Sequence, residues 1–146
     1  MSRRRPVRAR TAAVAAGIGL AIVAGAGCGR SDEQKVRDTL ATFQRATAAK
    51  DYGTLCSKVL SHQLVDRLTA VGLPCEVALQ RGLGSVSSPR LTVQKVRIRG
   101  DVALAQVRTS AAGQAPSTDT IRLVRQGDGW RVATLSGAQP PGPGED

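Results

Sequence analysis

The chain of 146 residues is long enough for one modest domain, and its 21 Lys and Arg against 11 Asp and Glu give a formal net charge of +10. Half of that surplus is Arg3, Arg4, Arg5, Arg8 and Arg10, so the remainder carries +5, an ordinary basic surface. Phe43, Tyr52 and Trp130 are the only aromatic residues. A platform for stacking bases needs several on one surface, and nucleic acid is therefore not expected as a partner.

In chain order, residues 1–10 are arginine-rich. Residues 11–27 carry no charge and include Val14, Ile18, Leu20, Ile22 and Val23 among many Ala and Gly. A basic stretch, an apolar stretch and small residues before a cut are the parts of a secretory signal. The apolar run falls short of the roughly 20 strongly apolar residues that span a bilayer. A retained signal anchor is the other reading, and Arg3-Arg4 also permits a twin-arginine route, although Arg5-Pro6 is not its usual apolar continuation.

Gly25-Ala26-Gly27-Cys28-Gly29 resembles the lipobox of bacterial lipoproteins. The resemblance implies that the Cys28 thiol takes a diacylglycerol, that residues 1–27 are removed and that residues 28–30 form a lipidated tether. Two or more acyl chains hold a protein on the membrane, each buried methylene adding about 0.8 kcal/mol. The expected location is thus the extracytoplasmic side of the cell membrane, with membrane lipid as a partner through acylated Cys28. Gly25 departs from the aliphatic residue usual at its place. Ala24-Gly25-Ala26 also fits the ordinary signal-peptidase pattern, which would release a soluble protein starting at Gly27. Three cysteines are an awkward number for an exported chain. With Cys28 taken by lipid, Cys56 and Cys75 are left to pair in an oxidising compartment, the other reading being two buried free thiols. Two cysteines and the lone His62 are too few soft ligands for a metal site, and neither metal nor cofactor is expected.

Ser31-Asp32-Glu33-Gln34 reads as a capping box, with Asp32 and Glu33 complementing the helix dipole. Val36, Leu40, Phe43 and Thr47 recur at helical spacing, which predicts an amphipathic helix ending near Ala49. Asp51 would cap a short second helix through Lys58. Ser61 would cap a third with Leu64, Val65 and Leu68 as its stripe, stopped by Gly72 and Pro74. Residues 75–81 read as one or two further helical turns and residues 82–89 as the loop where the period changes. From Arg90 the pattern is β. Leu91 and Val93 share one phase and Val96 and Ile98 the other, so a bulge is required near Gln94-Lys95. Gly100-Asp101 makes a turn, residues 102–109 a strand and residues 110–117 a polar loop. Residues 120–125 and 130–135 pair across Gln126-Gly127-Asp128-Gly129, a strong hairpin signal. Residues 137–146 are Pro/Gly-rich and expected to be disordered. Helices followed by an antiparallel sheet of about four strands give an α+β class.

Four of these features are similar to the nuclear-transport-factor-2-like (cystatin-like, SnoaL-like) superfamily, over residues 31–136. They are the opening helix with Val36, Leu40 and Phe43, the turn Ala48-Ala49-Lys50-Asp51-Tyr52, the bulged first long strand and the closing Gly129-Trp130-Arg131-Val132. The closing motif is frequent in small exported members from high-GC, actinobacterial-type sources. The resemblance implies N-terminal helices packed into the concave face of a curved sheet, leaving a conical pocket. Some relatives are isomerases or dehydratases that place an acid, Tyr or His in the cone. Here Asp101, Asp119 and Asp128 all fall at predicted turns or strand ends, where solvated carboxylates normally lie. Tyr52 and His62 are single residues of their types. Asp66 follows His62 at i+4, a surface pair that contributes roughly 0.2–0.5 kcal/mol. Tyr52, His62, Asp66 and Trp130 are the candidate pocket or polar cluster, and no catalytic residue is assigned.

Arg97 and Arg99 alternate with Val96 and Ile98, and Arg122 and Arg131 oppose Ile121, Leu123, Trp130 and Val132. These four arginines form a candidate basic outer surface for anionic lipid, cell-wall polymer or an acidic envelope protein, or else an ordinarily solvated face. The expected function is a membrane-anchored, non-enzymatic lipoprotein with a small ligand- or partner-binding domain. The alternatives are a pocket enzyme of the isomerase or dehydratase kind and an assembly or regulatory module of a cell-envelope complex.

Overall fold

The computed structural model describes residues 29–134. The expected signal segment, the lipid-attachment residue Cys28 and the tail 137–146 lie outside the described residues.

Helix α1 (Asp32–Ala49) starts where Ser31 Oγ accepts from the Gln34 N–H at 3.2 Å. The reciprocal half of the expected capping box does not form; Gln34 Nε2 instead donates to Asp38 Oδ1 at 3.0 Å. Val36, Leu40 and Thr47 are buried and Phe43 is half-buried, as the helical spacing predicts. The helix ends at Lys50, whose left-handed backbone (φ 58°) returns its N–H to the Ala46 and Thr47 carbonyls. Lys50 Nζ then donates to the Leu83 and Val86 carbonyls and ties down a distant loop.

The short helix α2 (Tyr52–Thr54) is capped by Asp51, whose Oδ1 accepts from the Thr54 N–H at 3.0 Å. It widens at once into a π-helical turn, Leu55–Val59, which buries both Leu55 and Val59. Ser61 caps α3 (His62–Ala70), accepting from the Leu64 N–H. No residue of α3 is fully buried; Leu64, Val65 and Leu68 lie half-buried against the core. Helix α4 (Cys75–Leu83) buries Cys75 and Leu79. A disulfide joins Cys56 to Cys75 and clips the π-turn to the start of α4.

Four strands, β1 (Arg90–Arg99), β2 (Val102–Ala111), β3 (Gln114–Gln126) and β4 (Gly129–Val132), form an antiparallel meander in chain order. The register shifts between Val93 and Lys95, so Leu91, Val93, Val96 and Ile98 share one face despite their opposite phases. The predicted polar loop over 110–117 is instead a continuation of the β2–β3 ladder to Ala111 opposite Gln114. Gly113 closes the turn at φ 74°, a conformation that costs glycine little. Pro116, which has no N–H to donate, falls in the irregular step of that ladder between Thr109 and Ala111. Polar residues here line a strand because the hairpin needs no buried apolar partners. The last strand is shorter than predicted and ends at Val132.

Helix α1 satisfies groups on both edges of the sheet. Arg37 Nη1 donates to the Val93 carbonyl at 3.1 Å, and Gln44 Oε1 accepts from the Leu91 N–H at 3.1 Å, both on β1. Thr39 Oγ1 donates to the Trp130 carbonyl of β4 at 3.0 Å. One helix reaches β1 and β4 only if the sheet curls around it. Fully buried Ala103 and Ala105 on β2 add little bulk to the floor of the trough. Ser61 N–H donates to the Val132 carbonyl at 2.9 Å, joining the helical half to β4. The result is an α+β domain with a curved open sheet, its concave face carrying the core. No helix among the described residues is long and apolar enough to cross a membrane.

Candidate functional site

Between the C-terminal half of α1, the connection from α4 to β1 and the concave face lies an open-mouthed cavity of about 360 Å³. That size sits at the small end of ligand pockets. Phe43, Leu83, Leu91, Val107, Ile121 and Val132 supply an apolar lining. The long β2–β3 hairpin forms one wall and carries Thr109, Ser110, Gln114, Ser117 and Asp119, while Thr47, Arg90 and Thr134 are polar lining residues from elsewhere.

Register places Val107 opposite Asp119 and Thr109 opposite Ser117, all on the concave face. Ser117 Oγ donates to Asp119 Oδ2 at 2.7 Å, Thr109 Oγ1 donates to the same oxygen at 3.3 Å, and the two hydroxyls are 2.9 Å apart. Asp119 is half-buried. It is not at a strand end, as the sequence suggests, because β3 begins at Gln114 and makes Asp119 an interior position. The signal for it is the period of two running back from Leu123 through Ile121 to Asp119 and Ser117. Thr47 lines the opposite wall at 2 % exposure, and its hydroxyl has no hydrogen-bond partner among the described residues.

The four residues expected to form a pocket or polar cluster do not converge, and none of them lines this cavity. Tyr52 packs half-buried against the core, its hydroxyl near Gly84. His62 is exposed at the first turn of α3, where its main-chain N–H donates to Gln126 Oε1, and Asp66 is exposed one turn on. Trp130 is 2 % exposed and lies at the other end of α1, about 20 Å along the helix from Thr47. There its Nε1 donates to Asp32 Oδ1 at 3.3 Å, and the Arg125 guanidinium covers its ring at 4.6 Å. Arg125 grips both Asp32 oxygens at 2.9 and 2.7 Å and reaches Asp101 Oδ1 at 3.1 Å. The Arg125 contacts, then the Trp130 bond, hold the Asp32 carboxyl down to about 2, and the same pairing raises Arg125. This cluster fastens α1 to the β3–β4 hairpin and has no path to the cavity.

Arg97, Arg99, Arg122 and Arg131 do share the convex face. The registers add Lys95 and Arg108 to it and bring no Asp or Glu to an outward strand position. Among the described residues no group of three His, Cys, Asp or Glu is placed to hold a metal ion.

No protein-family model matches the chain. No curated protein matches it either. Among solved structures the chain is similar to the crystal structure of the Kfla4162 protein from Kribbella flavida, an actinobacterium. The two share 20% identity over 70% of this chain and 86% of that one, with a TM-score of 0.47.

Proposed function

We propose that the domain is a non-enzymatic binding module of nuclear-transport-factor-2-like type, exported and held at the membrane by lipid on Cys28. Its ligand is a small amphiphile with an apolar body and a hydrogen-bond-donating end, an amine or an alcohol. The observation that carries this reading is the cavity whose largely apolar lining includes the Asp119 carboxylate, held by Thr109 and Ser117, with Arg90, Ser110, Gln114 and Thr134 as further polar residues of the lining. A carboxylate offers acceptors only, which favours a donor end on the ligand. No histidine, tyrosine or cysteine lines the cavity among the described residues. A pocket catalyst needs a paired acid and base within reach of one reacting atom, and this lining supports binding instead.

Nile red fluorescence tests the cavity, with displacement by a long-chain alkylamine, alcohol and carboxylate of equal length. The amine and alcohol are expected to displace best, and Asp119→Asn to abolish their advantage over the carboxylate. Absence of Nile red binding, or an order unaffected by Asp119→Asn, overturns the ligand class. The anchor is tested separately by intact mass of the membrane fraction, where a lipid-bearing N-terminus at Cys28 is expected and Cys28→Ala removes it. A mature species starting at Gly27 in the medium overturns the anchor.

A further inference from the structure

We infer that the convex face of the sheet docks flat on an anionic lipid surface, a second site independent of the cavity behind it. Two cross-strand rows carry the argument. In one, Leu104 stands between Arg97 and Arg122; in the next, Val102 and Val124 stand between Arg99 and Arg131. Leu104 is 44% exposed, one of the few large apolar side chains so open among the described residues. Aliphatic groups flanked by long cationic side chains match the edge of a bilayer, where stems lie on the apolar boundary and charged ends reach the headgroups. Between Lys95, Arg97, Leu104, Gln106 and Thr120 the same face is hollowed, giving a lipid phosphate a seat between two cations.

The cations are unspent. The ion pairs among the described residues involve Arg30, Arg37 and Arg125, and none involves an arginine or lysine of this face. Arg131 donates to the Ser57 carbonyl and keeps its charge uncompensated. A surface of this sign without acids is complementary to an anionic membrane, not to a neutral one.

The entry of the chain agrees with this orientation. Arg125 bonds Asp32 at the start of α1 and Asp101 at the β1–β2 turn, so residue 29 leaves the fold at that end of the sheet. Arg99 and Arg131 occupy the same end. In a chain anchored at Cys28, which is the reading proposed above, the tether brings this end of the sheet, with Arg99 and Arg131, close to the headgroups. An anionic cell-wall polymer would also meet the charge, but it gives Leu104 nothing to contact.

The test uses the full chain with Cys28→Ala, so that no acyl group contributes and residues 1–27 are common to every variant. It is sedimented with vesicles of phosphatidylcholine alone or mixed with phosphatidylglycerol. Arg97→Glu, Arg99→Glu and Arg122→Glu together are expected to lower partition onto the mixed vesicles at least about tenfold, with the three Arg→Lys changes retaining it. Arg45→Glu, Lys58→Glu and Arg81→Glu together make the same change of net charge on exposed helical positions, and a loss of less than about threefold is expected there. Equal losses in the two triple variants, or no loss in the first, overturn the proposal. Release from the vesicles by equimolar soluble polyphosphate assigns the face to a polymer and overturns the lipid assignment. Thermal melts confirm that each variant is folded, and Nile red binding on the same samples separates failure here from failure of the cavity reading.

Discussion

Thr42 and Thr69 return their hydroxyls to the carbonyl four residues back in their helices, at 2.9 and 3.0 Å. Thr47 has the same local option and does not take it, although it is almost fully buried. An unsatisfied buried hydroxyl costs about 1–3 kcal/mol. Thr47→Val keeps the shape and removes that cost, so the thermal midpoint of the ligand-free protein is expected to rise by about 4–8 °C for each 1 kcal/mol recovered. A midpoint that falls on this substitution would mean that the hydroxyl is partnered in the free protein. Asp32 makes the opposite case at the other end of α1, a carboxylate with three side-chain donors, two of them from one guanidinium. Its folded value of about 2 lies below its ordinary 3.8, with Arg125 the leading cause. A depressed carboxylate contributes stability that is complete above the ordinary value and lost as pH falls toward the folded one. The chain should therefore lose stability between about pH 4 and pH 2, with Asp51, also lowered by its Thr54 hydrogen bonds, adding to the slope. Asp32→Asn is expected to be less stable at neutral pH and to show a shallower acid limb in denaturant melts. Parallel curves for the two proteins would remove Asp32 from the linkage.

At the scale of the elements, the least self-supporting segment is α3, which buries no residue completely yet connects two packed elements. The Cys56–Cys75 bond closes the loop that contains it, spanning 19 residues, which in the chain-entropy account is a contribution of about 3 kcal/mol. Reduction should lower the unfolding free energy by that amount, and amide exchange should quicken first across α3 and the start of α4. Uniform exchange through α3 before and after reduction would deny the bond its local role. The elements themselves were largely legible in the chain. Ser31, Asp51 and Ser61 each cap a helix, and the phase change from Val93 to Val96 requires the bulge that the register contains. The polar hairpin was not legible, because Ser, Gly, Gln and Pro between residues 110 and 117 have the composition of a loop. Its pairing depends on Gly113 and on main-chain bonds that composition does not encode. That single misreading hid the candidate site, since Ser117 and Asp119 reach the cavity only once β3 is allowed to start at Gln114. The widening at Leu55–Val59 was equally hidden, because it depends on burying Leu55 and Val59 together against elements distant in sequence.

For the molecule as a whole, one curved sheet separates two surfaces with different chemistry. The convex side carries arginines and a lysine between its aliphatic and neutral polar residues, while the concave side carries the apolar core, with the Asp32–Arg125 pair at one end and the Thr109–Ser117–Asp119 group at the open cavity. A folded chain gains dispersion and hydrophobic contact by filling such space, so an unfilled cavity lowers stability unless a ligand occupies it. Ala111 lies at the mouth, half-buried on the long hairpin, with its side chain in the concave phase. Ala111→Phe places a ring in space that is already open, and strain from overpacking is not expected. The additional buried apolar area should leave stability unchanged or raise it by about 1 kcal/mol. The same ring occupies the volume that Nile red needs, and forfeiting about 1.4 kcal/mol of contact weakens binding tenfold. A stable variant with binding reduced by at least that factor locates the probe in the cavity and identifies the open volume as functional. A stable variant that binds Nile red as the unmodified chain does would move the probe elsewhere, and a strongly destabilised one would mean that the cavity closes in solution.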